Sequence, residues 1–335
     1  MPLANIQFQE SAIECLRQCI REDSLAHAWL LEGPEGTGKS LAALGVCEAL
    51  LCTEERGEGC GQCSACRRLG QHMHPDVAWL SSERSQVERG WVDAKTLGKQ
   101  PSQEIHIEQI RQLQERLHIR ALEGKHKVAV ILDAHELNLQ AQNALLKTLE
   151  EPPAGTLLLL CTHQKEKLLP TIRSRCRLLT FKPLPLAFIA ERLAAWGASE
   201  PGRLAELAEG SLGRAQRLAE GGFEFQQKVG AEFFALEAKA VGGLLAFAER
   251  HGTSRAAAEQ CLDALLVLLA GRAKALAREL GEGGRVEGLA WPELLRHIHA
   301  YERIERAKTA ILQQNGAPRL QLEAMLLEMF SVSTG

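Results

Sequence analysis

Two patterns of apolar spacing along the sequence divide the first half of the chain into short strands and longer helices. Short, almost wholly apolar runs predict buried strands over residues 27–32, 76–80, 128–132, 156–162 and 178–181. Apolar positions at three- and four-residue spacing predict helices over residues 8–22, 40–51 and 105–117, and one that ends before Pro152-Pro153. The polar segment 81–104 is interpreted as a surface loop. Strands that alternate with helices predict a parallel sheet covered on both faces, with ligands at the carboxyl ends of its strands.

The pattern becomes helical after Lys182-Pro-Leu-Pro185, which we interpret as a domain boundary. Residues 186–219 predict short helices that are interrupted at Gly197 and at residues 210–213. The remainder predicts a helical bundle joined by a loop at 281–288, with helices over 224–250, 254–280, 291–312 and 318–330.

Composition narrows the class of protein. The chain has 335 residues, 45% hydrophobic, which predicts a globular protein of two or three domains. A formal net charge of −3 gives no overall basic field toward nucleic acid. We find no apolar run of about 18 residues and no signal sequence at the N-terminus, so we expect no membrane span and a cytoplasmic location. Ten cysteines in that compartment need an explanation other than disulfides.

The strand at 27–32 runs directly into a phosphate-binding loop, Gly33-Pro-Glu-Gly-Thr-Gly-Lys39-Ser40. In this GxxxxGK[ST] pattern the backbone N–H groups cradle phosphate oxygens, the lysine reaches the β- and γ-phosphates, and the serine hydroxyl binds Mg²⁺. The position between a strand and a helix favours ATP with Mg²⁺ over an idle loop. The candidate nucleotide residues are Gly33, Pro34, Gly36, Thr37, Gly38, Lys39 and Ser40.

An acidic turn, residues 133–136, follows the strand at 128–132. An apolar strand followed at once by aspartate is how nucleotide-binding sheets place a carboxylate near Mg²⁺, so Asp133 is a candidate. By itself the same pattern also fits any buried strand with an acidic turn, and the phosphate-binding loop is what favours the nucleotide interpretation.

Four cysteines lie close together with the spacing C-x7-C-x2-C-x2-C, and glycines between them permit tight turns. Four thiolates suit a tetrahedral structural Zn²⁺ with no open coordination position. His72 and His74 are nearby alternatives of lower rank, because the cysteines already complete the set. The predicted ligands are Cys52, Cys60, Cys63 and Cys66.

Together these features resemble a known family. The phosphate-binding loop, the cysteine knuckle, Asn143-Ala-Leu-Leu-Lys-Thr-Leu-Glu-Glu-Pro-Pro153 and Ser174-Arg175-Cys176 occur together in bacterial DNA polymerase III clamp-loader subunits of the AAA+ class. The resemblance covers nearly the whole chain, including residues 315–323. It implies an AAA+ domain over 1–182 with the knuckle at 52–66, a helical lid over 183–220 and a helical collar over 221–335.

The resemblance also implies partners. Such subunits form a five-membered ring of gamma/tau, delta and delta-prime types. The ring opens a sliding clamp and loads it at primer–template DNA, within the replisome at the nucleoid. The ring serves the polymerase holoenzyme, a nucleotidyltransferase complex, and does no polymerase chemistry itself.

Three departures favour the delta-prime type over the gamma/tau motor. The motor has Asp-Glu after its strand, whereas residues 132–136 read Leu-Asp-Ala-His-Glu, and either alignment register loses one carboxylate. The motor's lid carries a nucleotide-sensing arginine where this chain has Gly213, with Arg214 displaced by one position. The third departure is length, because the motor often continues beyond the collar, whereas this sequence ends at the collar-like bundle. We therefore expect ATP binding with little or no hydrolysis.

In the family, the arginine that matches Arg175 acts in trans on ATP bound by the neighbouring subunit. The resemblance thus implies that Arg175 is an arginine finger, the alternative being an ordinary surface arginine. Thr162 matches the polar residue that the family places near the γ-phosphate, although a threonine at a strand end is common.

Two other hypotheses remain. The intact phosphate-binding loop favours an active gamma/tau-type motor ATPase. A zinc-dependent nucleic-acid-binding ATPase ranks last, because the knuckle contains no aromatic residue and has basic neighbours only at Arg67 and Arg68.

Overall fold

Five parallel strands form the sheet of the computed structural model, which describes residues 3–236, 241–282, 290–313 and 316–331. The order across the sheet is β2-β3-β4-β1-β5, and every neighbouring pair is parallel. The expectation of a parallel sheet is confirmed, with strand ends within two residues of those predicted. The strands are β1 (Ala28–Glu32), β2 (Val77–Leu80), β3 (Lys127–Ile131), β4 (Thr156–Thr162) and β5 (Arg177–Thr180).

Helices cover both faces of the sheet. Before β5 they are α1 (Glu10–Arg21), α2 (Lys39–Leu51), α3 (Ser64–Gly70), α4 (Glu83–Glu88), α5 (Ile107–His118), α6 (Leu139–Glu150) and α7 (Pro170–Arg175). Successive strand residues point to opposite faces, so Trp29 and Leu31 join a core with α1 and α2 while Leu30 joins one with α5 and α6. This two-sided burial explains why the strands are apolar at almost every position.

Residues 81–104 are not the loop that we expected. They contain α4 and a 3-10 helix at Ala94–Leu97. Ser82 caps α4, because its hydroxyl accepts the N–H of Ser85 at 3.2 Å. The polar composition concealed a capped helix that is only six residues long. Helix α4 leads directly to Arg89, which reaches the acidic turn.

Two buried polar side chains fix connections near the sheet. Asp76, before β2, accepts the backbone N–H groups of residues 122–124 at 2.7, 2.8 and 3.1 Å. These bonds hold the segment that leads to β3. The amide of Gln142 in α6 donates to the carbonyls of Leu137 and Lys167 and accepts the N–H of Leu169 at 2.8 Å. Gln142 therefore joins α6 to the segment that leads to α7.

The chain forms two compact units, one of residues 1–189 and 209–214 and the other of residues 190–208 and 215–335. The later helices are α8 (Leu186–Ala195), α9 (Pro201–Ala208), α10 (Leu212–Arg217), α11 (Phe223–Phe234), α12 (Val241–His251), α13 (Arg255–Glu282), α14 (Ala290–Gln313) and α15 (Pro318–Ser331). The second unit has its own apolar core of leucine, alanine and phenylalanine. The predicted helical C-terminal region is confirmed.

The prediction of a single helix over residues 224–250 is wrong, because the structure has two helices there, α11 and α12. The rings of Phe233 and Phe247 lie 6.1 Å apart in one core. Fourteen residues of a continuous helix would separate them by about 21 Å, so the two rings cannot belong to one continuous helix. The loop predicted at 281–288 falls mostly outside the described residues. No helix within the described ranges is long and apolar enough to cross a membrane.

Candidate nucleotide site and metal centre

The phosphate-binding loop connects β1 to α2, as its sequence predicts. Gly38 has φ 99° at the N-cap of α2, a left-handed conformation that favours glycine. The Lys39 ammonium donates to the carbonyls of Gly33 and Pro34, both at 2.6 Å, and Thr37 Oγ1 donates to Pro34 O at 2.8 Å. Burial lowers the pKa of Lys39. A phosphate that binds here has to replace the two carbonyls as the partner of Lys39.

Residues 211–213 lie directly on this loop. Ser211 Oγ donates to Glu35 O at 2.6 Å. A Cβ at Gly36 would lie 2.2 Å from the backbone nitrogen of Gly213, so a side chain cannot be accommodated there. Arg214, the predicted nucleotide residue of this segment, pairs with Glu209 at 3.3 Å. The turn that carries Arg214 therefore packs on the loop through the Ser211 hydroxyl and the Gly213 backbone.

The acidic turn follows β3, and Asp133 adopts a left-handed conformation with φ 54°. Its Oδ2 accepts a hydrogen bond from Arg89 Nη2 at 2.6 Å and another from Ser85 Oγ at 3.2 Å. Sequence reasoning missed both donors, because they lie in the segment interpreted as a loop. Ala134 is fully buried, so the position after Asp133 offers only a methyl group. Asp133 is thus held as an ion pair with a cation of the same chain.

Glu136 lies at the end of the acidic turn and is the other carboxylate there. Ser85 Oγ approaches its Oε2 at 3.4 Å. Burial raises the pKa of Glu136 to about 7, and the charge of Asp133 adds to this effect. Near neutral pH this group is therefore a mixture of acid and carboxylate.

Two imidazoles stand beside the acidic turn. The rings of His135 and His163 lie 4.0 Å apart, edge to face. Thr162 Oγ1 lies 3.4 Å from His135 Nδ1 and accepts the N–H of Gln164 at 3.0 Å. Burial lowers the pKa of His135 to about 3, with a further contribution from His163, so the ring is neutral at pH 7. His163 was missed by sequence reasoning, although its position just after β4 places it at the carboxyl edge of the sheet.

Arg175 is the last residue of α7. Its guanidinium pairs with Glu150 Oε1 at 2.7 Å and donates to Thr171 O at 3.0 Å. Glu150 belongs to the segment 143–153 that carries the family resemblance. The side chain keeps 36% of its surface exposed, so Arg175 is accessible from solvent.

The structure brings the four predicted zinc ligands together. Cys52 Sγ lies 3.6 Å from Cys60 Sγ and 3.8 Å from Cys63 Sγ, and the four sulfurs, with that of Cys66, all lie within 4.8 Å of one another. Tetrahedral ligation with Zn–S bonds of about 2.3 Å requires sulfurs about 3.8 Å apart. The donor set and its spacing therefore fit a structural zinc ion.

Backbone N–H groups surround these sulfurs. The amides of Glu55 and Cys60 donate to Cys52 Sγ at 3.2 and 3.4 Å. Cys63 caps α3, and its sulfur accepts the N–H of Cys66 at 3.4 Å. Burial alone raises the pKa of the Cys63 thiol, but this N–H and Thr53 outweigh it and lower the pKa to about 5. Such bonds favour thiolates, the form that binds metal.

The two nearby histidines have other contacts. His72 packs its ring against Trp79 and Trp91, with centroids 4.4 and 4.5 Å apart. His74 is buried, and its Nδ1 accepts the N–H of Asp76 at 3.1 Å. Neither belongs to the group of cysteines whose sulfurs converge.

The sequence of this chain is similar to those of several known proteins. A family model described as DNA polymerase III, delta subunit, matches residues 8–185, more than half of the chain. DNA polymerase III subunit delta' of Bacillus subtilis (strain 168) is 34% identical over 187 residues, which are 56% of this chain and 51% of that protein. Subunit delta' of Pseudomonas aeruginosa is 40% identical over 152 residues, 45% of this chain and 42% of that protein.

A relative of the other type also matches. DNA polymerase III subunit gamma/tau of Mycoplasma pneumoniae is 31% identical over 212 residues, which are 61% of this chain and 28% of that protein. The matched region thus spans about half or less of the length of these relatives. Because the family model covers both the phosphate-binding loop and the cysteine knuckle, this chain belongs to the DNA polymerase III delta-subunit family and is similar to the members named delta'.

Proposed function

We propose that this chain is a delta'-type, non-motor subunit of a bacterial DNA polymerase III clamp loader. In this role it acts in DNA replication, in the cytoplasm at the replisome. It assembles with gamma/tau-type and delta-type subunits into a hetero-pentameric ring that places a sliding clamp on primed DNA. Membership of the delta-subunit family and the similarity to proteins named delta' support this role.

The acidic turn carries the non-motor part of the proposal. Hydrolysis of a bound nucleotide needs a carboxylate for Mg²⁺ and a second group that positions the attacking water. Here Arg89 holds one oxygen of the Asp133 carboxylate at 2.6 Å, and the next position, Ala134, offers only a buried methyl group in place of that second group. Loss of a general base typically slows a reaction by about 10²–10⁴-fold. We therefore infer that turnover by this chain is weak or absent.

The phosphate-binding loop supports ATP binding without turnover. Lys39 and the exposed Ser40 stand at the start of α2, where the helix N-terminus favours an anion. When ATP is bound with Mg²⁺, Lys39 would contact its phosphates and the Ser40 hydroxyl would face the metal. The two carbonyls that now hold Lys39 compete with phosphate, which supports weak binding.

Arg175 is the residue that we assign to chemistry in the assembly. Its exposed guanidinium lies on α7 and is held by the half-exposed Glu150. A guanidinium that leaves this ion pair to reach a neighbouring subunit can stabilise charge on a transferring phosphoryl group.

An active gamma/tau-type motor is the second candidate, favoured by the complete phosphate-binding loop and the 31% identity to a gamma/tau subunit. Steady-state ATP hydrolysis by the purified chain, with DNA and clamp added in turn, separates the two. Lys39→Ala is the control. We expect nucleotide binding with no turnover above that of Lys39→Ala. Turnover of about 1 s⁻¹ that is abolished in the control would show a motor.

A further inference from the structure

A cluster of nitrogen and oxygen ligands lies at the carboxyl ends of β3 and β4. Asp133 and His135 follow β3, and His163 follows β4, its neighbour in the sheet. We propose that these three residues bind a divalent transition-metal ion of the Zn²⁺, Co²⁺ or Ni²⁺ class, separately from the cysteine knuckle. This inference goes beyond the proposed function and does not depend on ATP.

The distances support a metal ion. Each of the three side chains offers one ligand atom, and these atoms all lie within 4.8 Å of one another. Ligand atoms about 2.1 Å from one tetrahedral ion lie about 3.4 Å from one another. Side-chain rotations that move each ligand atom by about an ångström bring the three atoms to that separation. Each of the three side chains is partly buried, which limits competition from water.

Hydrogen bonds orient each ligand from behind. His135 Nδ1 lies 3.4 Å from Thr162 Oγ1, and when Nδ1 carries the proton, Nε2 presents its lone pair. His163 Nε2 lies 3.1 Å from the side-chain amide of Gln164, and when the amide turns its oxygen to accept a hydrogen bond from Nε2–H, Nδ1 presents its lone pair. Arg89 and Ser85 both bind Asp133 Oδ2, which leaves Oδ1. Protein metal sites typically fix their ligands in this way.

The ligand types select the metal. Two imidazoles and one carboxylate suit Zn²⁺, Co²⁺ or Ni²⁺, whereas Mg²⁺ and Ca²⁺ prefer oxygen ligands throughout. The Arg89 guanidinium orients the Asp133 carboxylate and uses only one of its two oxygens. Three protein ligands leave a fourth position open to water or to an anion.

The test is a Co²⁺ titration of the zinc-loaded protein, followed by absorption spectroscopy and metal analysis. We expect one equivalent of Co²⁺ beyond the knuckle, with weak visible bands of nitrogen and oxygen ligation and no thiolate charge-transfer band. His135→Ala and His163→Ala should each weaken this binding at least about tenfold, since loss of second-shell partners alone costs 10–100-fold. Thr162→Val should weaken it about tenfold for that reason.

His118→Ala, at the exposed end of α5, is the matched control and should retain the second equivalent. Retention of the knuckle zinc and an unchanged circular dichroism spectrum show that each variant is folded. The proposal is overturned if the wild-type protein takes up no second equivalent, or if that equivalent binds His135→Ala and His163→Ala as tightly as wild type. ATPase activity does not enter the test, so its outcome is separate from that of the proposed function.

Discussion

Replacement of Arg175 by alanine tests the proposed role in the ring most directly, and the structure sets the size of the effect. In this subunit Arg175 pairs with Glu150 at 2.7 Å and donates to Thr171 O at 3.0 Å. An exposed ion pair of this kind is worth about 0–1 kcal/mol, and a single hydrogen bond about 1 kcal/mol. An arginine finger contributes about 10³–10⁵ in rate, which is about 4–7 kcal/mol. The gain at a neighbouring nucleotide therefore exceeds the cost of leaving Glu150.

Single-turnover ATP hydrolysis by the reconstituted ring, with clamp and primed DNA, is the suitable assay. Only one neighbour loses its arginine in the Arg175→Ala ring, so we expect one kinetic phase to slow by at least about 10³-fold. Arg173→Ala, an exposed arginine on the same helix, is the control and should leave every phase unchanged. Size-exclusion chromatography checks that both rings assemble.

The Glu150→Gln variant shows whether Glu150 competes with the neighbouring nucleotide for Arg175 or positions Arg175 toward it. If Glu150 only competes for Arg175, its loss should accelerate that phase by at most about fivefold, because the pair is worth at most about 1 kcal/mol. If the phase instead slows as in Arg175→Ala, Glu150 positions the arginine. An assembled Arg175→Ala ring with every phase intact would refute the arginine-finger assignment.

Three further predictions concern the subunit alone. Cys63→Ser should lose the knuckle zinc and several kcal/mol of stability, seen in metal content and melting temperature, whereas Cys15→Ser should keep the zinc. Burial raises the pKa of Asp76, but the three N–H bonds that it accepts lower this pKa by more. The stabilisation that Asp76 gives to the fold is therefore full above about pH 4 and is lost as the pH falls through the lowered pKa. Asp76→Asn should therefore cost about 2–3 kcal/mol in urea unfolding at pH 7, and the difference from wild type should narrow below pH 4; an undiminished gap would contradict this. Gly36→Ala should abolish nucleotide binding, because its Cβ would lie 2.2 Å from backbone, whereas Gly57→Ala, with similar φ but open space, should not.

Much of the sheet could be predicted from local pattern. Every residue of β4 is buried, and the five inner residues of its sequence, Thr-Leu-Leu-Leu-Leu-Cys-Thr, are apolar because helices cover both faces. The convergence of four sulfurs was likewise predictable, since closely spaced cysteines can meet within one turn and the start of one helix. Both signals are short in sequence, which is why they could be detected without a structure.

The contacts that were missed are distant in sequence. Arg89 reaches Asp133 across 44 positions, and no periodicity links them. The break between α11 and α12 was missed because both helices pack in one apolar core. Their apolar positions therefore follow one another along the sequence like those of a single amphipathic helix. The meeting of His135 and His163 did have a signal, because the residues that follow adjacent parallel strands share one edge of the sheet.

The buried amide of Gln142 has a mechanical consequence. It binds the carbonyls of Leu137 and Lys167 and the N–H of Leu169, so it bridges the start of α6 and the entry to α7. Leu137 directly follows the acidic turn, and α7 ends at Arg175. A displacement of either segment strains the same three hydrogen bonds. We therefore expect the acidic turn and the helix that carries Arg175 to move together as one rigid body.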